Sequence, residues 1–77
     1  MDVKAKNGIL QTDDVIKTPN GKYYMIHVDK NTGIVTLYSD LKPIFNKYPS
    51  ESYLAKCEIA TRGFPQKPYV EKKGGGN

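Results

Sequence analysis

The chain has one cysteine, one histidine, no tryptophan and a single arginine among its twelve basic residues. The lone Cys57 excludes an internal disulfide, which fits a reducing compartment or a partner-stabilised state for so small a domain. Cys57 and His27 together fall short of the four Cys or His ligands of a structural zinc site. The same pair is the only candidate nucleophile and base, and no spacing places them together. Cys57 therefore reads as a small buried hydrophobe and His27 as a strand residue beside Thr36. Long apolar runs are missing too. Nothing approaches the ~18 residues that span a bilayer, and the opening MDVKAKNG lacks the continuous apolar stretch of a secretory signal. The expectation is a soluble cytoplasmic protein with no membrane contact, no cofactor and no catalytic activity.

Apolar residues make up 38% of the 77, below the usual ~45–50%, and they concentrate between Ile9 and Ile59. One domain of this length buries only about 60% of its unfolded surface, so its core must be small. Residues 1–12 are polar, with Ile9-Leu10 the one apolar pair. Asp14–Thr18 (DVIKT) is a short β-branched strand. Pro19-Asn20-Gly21 supplies a preset first corner and a left-handed residue, giving a turn that pairs Thr18 with Lys22. Lys30-Asn31-Thr32-Gly33 suits a four-residue loop on a type I turn, with Asp29 opposite Ile34.

That register decides the faces. Val28 then opposes Val35, and Ile26 opposes Leu37. With Tyr24 they form an aliphatic side that belongs to the core. Tyr23, Met25, His27, Thr36 and Tyr38 fall on the reverse side. A slip by one residue would destroy this partition. The stretch DDVIKTPNGKYYMIHVDKNTGIVTL resembles, in architecture, the meander of SH3-like or Tudor-like small barrels over about a third of the chain. The expected class is mainly β, with β-rich α+β as the alternative: a small twisted antiparallel sheet or an SH3-like partial barrel.

Pro43 sits where it would open a short helix over 40–48, with Pro49 as its stop. Residues 50–61 (SESYLAKCEIAT) admit two readings. As a helix, Ser50 caps and Leu54, Cys57 and Ala60 face inward. As a strand, Lys56 and Glu58 share one face, which is the cleaner separation. Residues 1–61 are expected to form the domain, with 62–77 an extended basic arm ending in a glycine tail.

Charge is unevenly placed. Residues 61–77 carry +3 and the remainder +1 of the total +4. Asp13-Asp14, just before a strand, reads as a solvated turn rather than a metal site. Gly74-Gly75-Gly76 follows no strand and precedes no helix, so it is no phosphate loop. Pro65-Gln66-Lys67-Pro68 has PxxP spacing, a common tetrapeptide with little weight.

Aromatic and basic residues interleave: Lys22, Tyr23, Met25, Tyr38, Arg62, Phe64, Lys67, Tyr69, Lys72 and Lys73 are the candidate contacts. Rings that stack on bases beside cations that neutralise phosphates are what single-stranded nucleic acid requires. Lysine rather than arginine implies attraction to the backbone of DNA or RNA with little base reading. The leading expectation is a small non-enzymatic nucleic-acid-binding module. The alternative is a protein-interaction module (an adaptor, an inhibitor or a small subunit) using the Tyr23/Met25/Tyr38 face. Its compactness would suit a phage or mobile-element product. The bland reading of six tyrosines is a core rim with hydroxyls reaching water.

Overall fold

Short β-branched segments joined by tight turns leave the backbone few ways to satisfy its hydrogen bonds other than antiparallel pairing. The computed structural model describes residues 2–39, 42–44 and 48–70. Its strands are β1 (Lys4–Ala5), β2 (Gly8–Ile9), β3 (Val15–Lys17), β4 (Tyr23–Val28), β5 (Val35–Ser39), β6 (Lys42–Pro43), β7 (Glu58–Arg62) and β8 (Lys67–Pro68), with one helix, α1 (Glu51–Leu54). The hairpin β1–β2 stands alone, and the other six strands form one antiparallel sheet in the order β6-β5-β4-β3-β7-β8. The sheet is open. It has two edges and does not close as a barrel.

The central hairpin forms in the register its residues dictate. Met25 opposes Tyr38, Ile26 opposes Leu37, His27 opposes Thr36 and Val28 opposes Val35. The Asp29 amide donates to Ile34 O at 2.9 Å. Asp29 Oδ1 accepts from the amides of Asn31 at 2.9 Å and Thr32 at 3.4 Å, an Asx turn that fixes the loop. These two bonds hold the Asp29 carboxyl below its ordinary pKa. Gly33 takes φ +76° and Gly21 φ +85°, the left-handed geometry both loops need. Thr18 N donates to Lys22 O at 2.8 Å, closing the expected three-residue loop.

The inner face of the sheet carries Ile16, Ile26, Val28, Val35 and Ile59. Val3, Ala5 and Leu10 from the β1–β2 segment cover it, with Leu54 and Cys57 from α1 and its exit, and Tyr24, Leu37 and Tyr69 pack at the margin. Asn7, in the β1–β2 turn, fastens that hairpin to the sheet. Its Oδ1 accepts from Ile59 N at 2.8 Å and its Nδ2 donates to Ile59 O at 3.1 Å, acting as a one-residue substitute for a neighbouring strand. Among the described residues no helix is long and apolar enough to cross a membrane.

Three expectations change. Residues 42–44 are not helical: β6 pairs with β5, placing Pro43 opposite Tyr38, and Ile44 N donates to Leu37 O at 2.8 Å. Proline suits this position because an edge strand has one side without a ladder partner. Positions 40–41 and 45–47 lie outside the described residues. Residues 50–61 hold both proposed structures in turn. Ser50 Oγ accepts from Tyr53 N at 3.1 Å and caps α1, and β7 begins at Glu58. The expected arm begins as sheet: β7 runs through Arg62, the chain turns at Gly63 (φ +88°), and β8 pairs Lys67 with Arg62 and Pro68 with Thr61. Residues 71–77 lie outside the described set.

Candidate nucleic-acid interface

Arg62 is the end of β7, and a bulge opposite Val15/Ile16 re-aims this strand. The bulge directs the guanidinium under the sheet, onto Asp14. Arg62 Nε donates to Asp14 Oδ1 at 2.8 Å and Nη2 to Oδ2 at 3.0 Å, a bidentate pair. Asp14 is wholly buried, and its Oδ2 also accepts from Gln11 N at 2.9 Å. Arg62 Nη2 donates further to Ile9 O at 2.6 Å. The ring of Tyr69 lies against the guanidinium, with its centroid 4.5 Å from Cζ. The bond to Asp14, opposed by burial, raises the Arg62 pKa above its ordinary value. Asp14 is therefore no solvated turn residue but the counter-ion that anchors β7 to the segment before β3.

Above this pair lies a cleft of about 550 Å³ between the β1–β2 hairpin and the end of β7, lined by Lys4, Lys6, Asn7, Gln11, Arg62 and Tyr69 among others, with no carboxylate among the described lining residues. Alternation along β1 explains it: Val3 and Ala5 point into the core while Lys4 and Lys6 stay exposed. Arg62 is already neutralised by Asp14, so the excess charge comes from Lys4 and Lys6, with exposed Lys67 cross-strand from Arg62. Gly8 keeps the hairpin close to the sheet, because a Cβ there would collide with the Tyr69 hydroxyl and press on Ile59 Cδ1 at 3.3 Å. That hydroxyl donates to Asn7 O at 3.3 Å.

The ten residues picked out from sequence do not form one surface. Arg62 and Tyr69 line the cleft, Lys67 stands beside it, and Phe64 is 84% exposed at the tip of the β7–β8 turn. Tyr23, Met25 and Tyr38 lie on the other side of the sheet, with Tyr23 exposed and the other two half-buried. Exposed Lys22 ends the Pro19–Gly21 loop. Lys72 and Lys73 lie outside the described residues. Lys4, Lys6 and Gln11 escaped sequence reasoning, although the alternation Val3-Lys4-Ala5-Lys6 was visible and marks a strand with one charged face.

Cys57 and His27 are on opposite faces of the sheet. Cys57 is fully buried, its thiol donates to Tyr53 O at 3.5 Å, and desolvation pushes its pKa up, opposite to the shift that activates a nucleophile. His27 is exposed on the outer face beside Thr36. Among the described residues no cluster of three His, Cys, Asp or Glu side chains is placed to hold a metal ion. Comparison with models of known protein families, with curated proteins and with solved structures found no match.

Proposed function

We propose that this protein is a small non-enzymatic module that holds single-stranded DNA or RNA by its phosphate backbone, with little sequence preference. The observation carrying this reading is the cleft between the β1–β2 hairpin and β7, where Lys4 and Lys6 project and no carboxylate is present among the described lining residues. Lys67 extends the same positive edge. Phe64 offers a ring to a base, a contact worth ~1–3 kcal/mol when stacked. Tyr69 contributes less stacking than the sequence implied, because Arg62 already occupies one side of its ring. Lysine charges attract phosphate without the planar fork that reads base edges, so discrimination among sequences should be weak.

The test is fluorescence anisotropy with a labelled single-stranded oligonucleotide across a salt series. Three phosphate contacts give a log–log slope of about −2, which lowers affinity about 20-fold between 50 and 200 mM salt. Replacing Lys4 and Lys6 together by Gln should flatten the slope by about 1.4. Absence of binding at low salt, or binding indifferent to these two lysines, would remove the proposal.

A further inference from the structure

The outer face of the sheet is a separate surface. Register places Pro43, Tyr38, Met25, Val15, Thr61 and Pro68 in one row that crosses all six strands. Five of these six side chains are only half-buried, and no described element packs across them. Beyond one side of the row stands Lys17, exposed and 6.0 Å from the Tyr23 ring centroid. Beyond the other lies a hollow of about 260 Å³ lined by Asp13, Met25, His27 and Tyr38. The two edges of the sheet are poor docking strands, being two residues long and each containing a proline, Pro43 or Pro68. Among the described residues it is the face, not an edge, that remains to be covered.

We infer that a second copy of this chain covers it, face to face about a two-fold axis that crosses the strands at the Val15–Met25 row. Lys17 sits two residues to one side of Val15 along β3, about 6–7 Å away at the usual strand rise, and Asp13, in the left-handed turn before β3 (φ +74°), lines the hollow on the other side. The two-fold therefore brings Lys17 of each copy over the Asp13 hollow of the other, twice per dimer. It also lays the apolar row on its own symmetry mate. Only an isologous pairing uses both halves of this arrangement, with the sheets ~10 Å apart as in a sandwich. Six strands ~4.8 Å apart and the four-residue step from Tyr23 to His27 mark out roughly 24 by 13 Å. That is on the order of 300–400 Å² a side, below the ~800 Å² of a standard stable interface. The dimer is accordingly weak and reversible. This inference is independent of the nucleic-acid cleft, which lies on the other side of the sheet.

Sedimentation equilibrium on the full chain, from about 10 μM to about 1 mM, tests it, a range suited to an interface half the standard size. The expected result is a reversible monomer–dimer equilibrium. Lys17→Glu places like charges at both Asp13 hollows and should weaken association about tenfold or more, while Met25→Lys, in the middle of the apolar row, should abolish it. Lys56→Glu makes the same charge change on the exposed stretch after α1 and should leave association unaltered. Circular dichroism confirms that each variant keeps its sheet. A strictly monomeric wild-type chain overturns the inference. So does a Lys56→Glu effect as large as that of Lys17→Glu, or an oligonucleotide that shifts the Met25 and Tyr38 resonances in place of a second copy.

Discussion

Replacing Arg62 by Met keeps most of the aliphatic stem and removes the charge that Asp14 was buried against. Asp14 is 0% exposed and the Arg62 side chain 29% exposed, so the carboxylate cannot turn to water when its partner goes. It loses the bonds from Nε and Nη2 and, among the described residues, keeps only the one from Gln11 N. Removing one member of a buried pair costs ~3–5 kcal/mol, and the partial exposure of Arg62 argues for the lower end, about 3 kcal/mol. A domain of this length has on the order of 4–12 kcal/mol in total. The loss should lower Tm by about 12–24 °C at ~4–8 °C per kcal/mol. Thermal and urea unfolding, followed by circular dichroism, read this directly. Adding Asp14→Asn should recover part of the loss, because the orphaned charge disappears with it; the double-mutant cycle isolates that coupling. A loss under about 1 kcal/mol, typical of exposed pairs, or a double variant no more stable than Arg62→Met alone, would refute the claim that β7 is held by a desolvated ion pair.

Three further outcomes follow from other contacts. Asn7→Ala removes both side-chain bonds to the Ile59 backbone, should cost about 1–3 kcal/mol, and should speed amide exchange at Ile59 more than at Ile26. The Cys57 thiol has a folded pKa raised above that of the unfolded chain, so its contribution is complete below the unfolded value and drains away as pH rises through the folded one. Stability should therefore fall on the alkaline side in wild type and less so in Cys57→Ala, with thiol-specific reagents reacting only as fast as the chain opens. Asp29 has a depressed folded pKa, so its contribution is present above the unfolded carboxyl value and lost as pH falls through the folded one. Asp29→Ala should flatten that acid limb in a pH titration of unfolding.

The β3–β4–β5 meander was legible because three local signals agree: two loops rich in turn residues, β-branched flanks, and an aliphatic set that only one register can bury together. Consistency of that kind specifies a fold. The helix expected over 40–48 fails at 42–44 for a physical reason, since proline is compatible both with a helix start and with an edge strand, and only the partner strand decides which. The segment 50–61 held a capped single turn and a strand in succession, and a scheme seeking one period for the whole stretch had to misassign part of it. The cleft was only half legible. Arg62, Lys67 and Tyr69 were recognised, yet their neighbours Lys4 and Lys6 are more than fifty residues away in sequence and arrive through the Asn7–Ile59 clamp. Arg62 itself looked like a free cation because nothing local announces Asp14 as its partner, 48 positions earlier. Long-range pairing of this sort lies outside any local pattern.

The most direct test of the proposed function is an amide-resolved NMR titration with a short single-stranded oligonucleotide at low salt. Shifts confined to Lys4–Gly8 and Arg62–Tyr69, reversed by added salt, are the outcome expected if the cleft between the β1–β2 hairpin and β7 carries phosphate. An unperturbed spectrum, or shifts centred on Tyr23, Met25 and Tyr38, would contradict it.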